Sequence, residues 1–128
     1  MVHHIIQTDQ APAAIGPYSQ AIKVDQWLFV SGQIGFVPAT GQLVGDSLVE
    51  QARQALQNMV QILAAAGFGL PDVVTVDVFL TDIGQFASFN SVYEAFFAGH
   101  KPARAVVEVK GLPRGALVEI KCIACKNA

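Results

Sequence analysis

An arginine stands inside an apolar, alternating stretch, Pro102-Ala-Arg104-Ala-Val-Val-Glu-Val109. The stretch reads as a β-strand: it starts just after a proline and alternates at period two. Arg104, Val106 and Glu108 fall on one side; Ala105, Val107 and Val109 fall on the other. A guanidinium is costly to bury unless something anionic meets it. Arg104 therefore either pairs with Glu108 or another acid, or lies at an edge, or holds a substrate carboxylate, for which its planar fork is suited. Glu108 and Glu119 are the candidate acid/base groups, and polar residues gather at strand ends. Such a set can bind a small acid and activate water. By itself it names no reaction.

Other chemistries lack their residues. There is no Gly-x-Ser-x-Gly, Walker loop, Gly-x-Gly-x-x-Gly or cluster of metal ligands. Residue 2 is valine, which argues against an N-terminal nucleophile, and Ser31 has no evident base. His3 and His4 are adjacent and would point to opposite faces of a short edge strand over residues 3–6. His100 has no evident partner in sequence, so all three histidines read as surface or structural. Cys122-x-x-Cys125 lies in a strand-like run and not at a helix start. Residues three apart on a strand face opposite sides, so a redox or zinc role is not expected.

The elements that must position these residues follow from pattern. Ala11–Pro17 is a loop marked by two prolines and a glycine. Tyr18–Val24 alternates, Asp25-Gln26 is a turn, and Trp27–Ser31 completes a hairpin running into Gly32-Gln33. Pro38–Gly45 is a second loop. Ser47-x-x-Glu50 is a capping-box pattern. After it, Leu48, Ala52, Ala55, Leu56, Met59, Val60, Leu63 and Ala66 form one helical stripe, with glutamines and Arg53 opposite and Gly67 as the stop. Val73–Thr81 is a strand whose Val74, Val76, Val78 and Leu80 make an apolar face. Gln85–Ala98 is a second helix with an inner stripe of Phe86, Phe89, Val92, Tyr93 and Phe96. Asn90 lies off that stripe, solvated or used at a site. Leu112-Pro-Arg-Gly115 is a turn, and residues 116–125 return antiparallel.

At 128 residues the chain reads as one domain, 1–128. Its 52% apolar and 14% charged composition marks a globular protein. A net charge of −2 gives no footprint for a nucleic-acid backbone. No apolar run approaches a membrane span. The start, MVHHIIQTD, resembles neither a signal nor a transit peptide, so a cytoplasmic protein is expected. Two helices and about five strands make a two-layer α+β domain with both helices on one face of a mixed sheet. Val118, Ile120, Cys122 and Ala124 suit the covered face. Leu117, Glu119, Lys121 and Ile123 fall on the other, which is too apolar for water yet carries charges. A subunit interface with polar pockets is the economical explanation.

Read together, several motifs resemble those of the RidA-type reactive intermediate deaminases: Ala11-Pro-Ala-Ala-Ile-Gly-Pro-Tyr-Ser19, Ser31-Gly-Gln33, Phe89-Asn-Ser-Val-Tyr-Glu-Ala-Phe-Phe97, Pro102-Ala-Arg104 and Val118-Glu-Ile120. They occur in the family's order and cover nearly the whole chain. The resemblance implies a chorismate-mutase-like fold and a homotrimer with sites between subunits. It also implies hydrolysis of 2-enamine and 2-imino acids to 2-keto acids and ammonia, with no cofactor and no metal. Such imines arise from dehydratases and other pyridoxal-phosphate enzymes.

By motif position, the resemblance makes Arg104 the carboxylate binder and Glu119 the group that orients or activates water. It places Tyr18, Ser31, Gly32, Asn90 and Val106 around the substrate and leaves Glu108 structural. Val106 stands where many members carry a cysteine, and the 98–101 loop is shorter than in several relatives. Two rival functions are a non-catalytic, small-acid-binding or chaperone-like trimer, and an RNA-acting translation inhibitor or ribonuclease. The second would need a basic surface, whereas 8 Lys and Arg face 10 acids here.

Overall fold

A computed structural model describes residues 2–127. Eight regular elements follow in chain order: β1 (His3–Ile6), β2 (Ala21–Val24), β3 (Trp27–Ile34), α1 (Leu48–Ala65), β4 (Val73–Leu80), α2 (Phe86–Phe97), β5 (Ala103–Glu108) and β6 (Val118–Cys125). The six strands form one mixed sheet in the order β1-β2-β3-β6-β4-β5. Both helices pack on one face.

Residues 116–125 return antiparallel as expected, but their place in the sheet matters for function. The returning strand β6 does not pair with the Arg104 strand. It inserts antiparallel between β3 and β4, while β5 lies parallel to β4 at the sheet edge. A tight turn would have favoured a β5–β6 hairpin. Pairing β6 on both sides instead buries Val118, Ile120, Cys122 and Ala124 under the helices, each at most 2% exposed.

Helix α1 starts as its cap dictates: Ser47 Oγ accepts from the Glu50 N–H at 3.1 Å and donates to Glu50 Oε1 at 2.9 Å. It stops at Gly67, whose φ of +83° suits a glycine. Leu56, Met59, Ile62 and Leu63 are fully buried. Burying each such side chain contributes roughly 1.5–3 kcal/mol. Not every glutamine lies on the outer side, however. Gln51 and the amide of Asn58 are buried because both find partners. Gln51 Nε2 donates to the Gly45 carbonyl, and its Oε1 accepts from Leu117 N–H at 2.8 Å. Asn58 Nδ2 donates to the Ile34 and Phe36 carbonyls.

Strand β4 carries a second correction. Val74 is 40% exposed, and Val73 is buried in its place. A register shift between Val73 and Thr75 changes the phase of the alternation before Val76, Val78 and Leu80 resume it. Strand β2 begins at Ala21, so Tyr18 lies in the preceding loop; β3 runs past Ser31 to Ile34. His100 has a partner after all, since its ring Nε2 lies 2.8 Å from the Val73 carbonyl. No helix among the described residues is long and apolar enough to cross a membrane.

Candidate functional site

The residues singled out in sequence fall into two groups, on opposite faces of the sheet. The first surrounds Arg104. In β5, Arg104 is level with Val76 and Val106 with Val78, both buried on the helix side. Arg104 therefore leaves the edge strand on the covered face and meets α2. Its Nη1 donates to Asn90 Oδ1 at 2.7 Å. Its guanidinium carbon lies 4.7 Å from the centroid of the Tyr93 ring and 5.6 Å from that of Phe86. These are cation–π distances. Phe86, Asn90 and Tyr93 stand at i, i+4 and i+7, one line along the helix. Asn90 thus belongs to the face that meets Arg104, not to the solvent side. Arg104 itself remains exposed, and Val106 beside it is half-buried.

Glu108 takes no part in this group. Its Oε1 accepts from the Ile83 N–H at 2.9 Å, tying the end of β5 to the turn before α2. That is the structural role expected of it.

The second group surrounds Glu119. In β6, Glu119 is level with Ile34 of β3 and Phe79 of β4. Phe79 alternates with the buried Val78 and Leu80, so Glu119 stands on the open face. It lies against Gly32: a Cβ added there would come within 2.5 Å of Glu119 Oε2. The register shift in β3 between Val30 and Gln33 spans Ser31-Gly32 and is what re-aims this segment. Ser31 Oγ donates to the Ser19 carbonyl at 2.6 Å, and Ser31 N–H to the Gln20 carbonyl. These bonds hold the loop that carries Tyr18 to the same part of β3. The Tyr18 ring is 53% exposed, with its hydroxyl accepting from the Ile15 N–H at 3.3 Å.

Burial pushes the Glu119 carboxyl above its ordinary range, an effect that neighbouring Lys121 partly offsets. A carboxyl shifted in this direction is a stronger base when ionised than an exposed glutamate. The thiols offer no such chemistry. Cys122 points into the core, where burial pushes its pKa up to about 12; Cys125 points to the open face. Among the described residues no three or more His, Cys, Asp and Glu side chains cluster as a metal site.

Two amides that hold this group in place were not singled out in sequence. Gln20 is buried and clamps the preceding loop, donating to the Thr8 and Pro12 carbonyls and accepting from the Thr8 N–H. Gln51 pins Leu117, two residues before Glu119. The signal for Gln51 was its spacing: 51, 55 and 62 share one helix face, so a glutamine stood in an apolar row.

Since Arg104 and Glu119 lie on opposite faces, one chain does not bring them together. The open face also exposes Ile5, Trp27, Phe29 and Val107.

Comparison with known proteins gives a consistent result. The model of the family described as endoribonuclease L-PSP matches residues 8–126. A 2-iminobutanoate/2-iminopropanoate deaminase of Capra hircus is 51% identical over 127 residues, which is 99% of this chain and 93% of that protein. The crystal structure of RidA from an Antarctic Psychrobacter species superposes with a TM-score of 0.93 at 46% identity, covering 96% of this chain and 99% of that one. E. coli TdcF with bound serine superposes with a TM-score of 0.92 at 41% identity, covering 97% and 99%.

Proposed function

Because the chain belongs to the RidA-type family of endoribonuclease L-PSP proteins, we propose that it is a hydrolytic deaminase acting on 2-imino acids. The reaction yields a 2-keto acid and ammonia. The observation that carries the reading is the Arg104 fork, exposed yet oriented by Asn90. Arg104 binds the substrate carboxylate. Tyr18, Ser31, Gly32, Asn90 and Val106 line the site, and Glu119 holds the water. No cofactor or metal takes part.

The proposed assembly is a homotrimer of chorismate-mutase-like domains with sites between subunits. Two features support it. Arg104 and Glu119 lie on opposite sheet faces of one chain, so a site containing both needs a second chain. The open face carries an apolar surface suited to burial between copies. Each site then takes Arg104 from one protomer and Glu119 from its partner. The cytoplasm, where pyridoxal-phosphate dehydratases release such imines, is the proposed setting.

The chemistry is modest. Water adds to the C=N carbon as Glu119 takes one of its protons and the nitrogen gains one, giving a tetrahedral carbinolamine. The C–N bond then breaks, nitrogen leaves as ammonia with a further proton, and the carbonyl forms. Net consumption is one water per imine. Free imines hydrolyse unaided, so positioning supplies most of the required acceleration.

The test is to generate an imino acid in situ and follow its hydrolysis with and without the protein. Light scattering of the same sample should give about three times the 13.6 kDa chain mass. Hydrolysis no faster than the blank, or a stable monomer, contradicts the reading.

A further inference from the structure

We propose that Asn90, Phe86 and Tyr93 form an electroneutral cradle that orients the Arg104 fork while leaving its charge for the substrate carboxylate. The inference rests on the deaminase reading and deepens it: Asn90 and Tyr93 become positioning residues acting through Arg104.

The geometry has three parts. One amide oxygen, Asn90 Oδ1, engages Nη1 at 2.7 Å. The rings of Tyr93 and Phe86 lie 4.7 and 5.6 Å from the guanidinium carbon. Three holders one or two turns apart on a single helix face define the plane and direction of the side chain. The arginine leaves an edge strand and is exposed, so without them it would sample many rotamers.

What the holders have in common is that none is an anion. A carboxylate at position 90 would hold the guanidinium more firmly, with charge-assisted bonds. It would also neutralise the cation and compete with the substrate for the same fork. An amide and two quadrupoles orient the group without consuming its charge.

The buried Tyr93 hydroxyl fits the same reading. Tyr93 is 8% exposed, and its hydroxyl finds no hydrogen-bond partner among the described residues. An unpaired buried hydroxyl is unfavourable, so hydrogen bonding does not account for this side chain's place. The ring does: it packs between Phe89 and Phe97, with centroids 5.7 and 4.6 Å away, and turns its face to Arg104.

The experiment uses three variants of the full-length protein, each checked for mass and melting temperature. kcat/KM is measured for an imino acid and for an uncharged imine of the same carbon skeleton, and the ratio of the two is compared. Asn90→Asp keeps size and acceptor, so a merely structural role tolerates it. The cradle instead predicts a rise in KM for the imino acid of about tenfold or more with melting temperature unchanged or higher. Tyr93→Leu should lower the charged-to-uncharged ratio, and Tyr93→Phe should recover it with a melting temperature at or above wild type. An Asn90→Asp enzyme with wild-type KM for the imino acid overturns the proposal while leaving the deaminase intact. So does a Tyr93→Leu enzyme that folds and keeps the ratio. Lack of hydrolysis by the wild-type protein removes both.

Discussion

The two halves of the proposed site are built in different ways. Arg104 sits on an edge strand, exposed, and is held from one side by a helix. Glu119 sits on a strand paired on both sides, half-buried, and rests against a glycine. The first arrangement keeps a cation in contact with water and sets its direction through π faces and one amide. The second removes a carboxylate partly from water and so raises its basicity. Binding charge needs orientation without desolvation; proton transfer needs the reverse. The sheet supplies each where its topology provides it, at the edge and near the centre.

The largest expected effect breaks the arginine half. A bidentate arginine–carboxylate contact consists of charge-assisted hydrogen bonds, and truncating one partner costs roughly 2–5 kcal/mol. Arg104→Ala should therefore lower kcat/KM for imino acids by about 30- to several-thousand-fold, with Arg104→Lys a poor rescue. Steady-state kinetics on a sample of normal mass and melting temperature decides it. A buried Arg104–Glu108 pair would instead lose assembly first, but each residue has another partner.

Next comes the glutamate half. Glu119→Gln should lower kcat by roughly 100-fold, the low end of general acid–base effects because the imine also hydrolyses unaided. Since burial raises the Glu119 pKa, the acid limb of the wild-type pH profile should fall above the ordinary carboxylate range. Stability should move the opposite way. With the folded pKa raised, the native state binds more protons than the unfolded chain between the two values, so stability drops as pH rises through that window. Glu119→Gln should then raise the melting temperature at neutral pH, and the gain should vanish below the ordinary carboxylate range. Thermal melts across pH measure this. A smaller effect sharpens the contrast. Gly32→Ala sets a Cβ against the Glu119 side chain from Oε2 back to Cγ and against no backbone among its three nearest atoms, so it should cost on the order of tenfold in kcat with little change in melting temperature.

The two halves also differ in how far they could be read from sequence. Strand alternation made Arg104 and Glu119 candidates, with Glu108 beside them, and only the motif resemblance chose between the two glutamates; the covered face of β6 followed from Val118, Ile120, Cys122 and Ala124. Both helices lie where periodicity places them and α1 starts at its Ser47 cap, but in α2 Phe86, read as inner, is 37% exposed and Phe97 is buried instead. The pairing of β6 between β3 and β4 was not legible, because a turn such as Leu112–Gly115 speaks only for its neighbours. The shifts at Val73–Thr75 and Val30–Gln33 were equally hidden, since one extra residue changes phase without changing composition. Asn90 stood open between solvent and a site because a helical row was sought among apolar residues alone, and only the resemblance set it beside the substrate. Gln51 was missed for the same reason, although its spacing set it in an apolar row; Gln20 was missed because a buried amide outside a helix is revealed only by its partners, Thr8 and Pro12.

The most direct test of the central claim, that each site joins Arg104 of one chain to Glu119 of another, is subunit mixing. Arg104→Ala and Glu119→Gln proteins, each nearly inactive, are co-expressed and purified together as mixed trimers. With random assembly at equal amounts, about one quarter of the sites combine an intact arginine from one variant with an intact glutamate from the other. The account predicts recovery of imine hydrolysis to about that fraction of wild type. Mixed trimers of proven composition that are no more active than the separate variants would mean that both residues serve from one chain, and would contradict it.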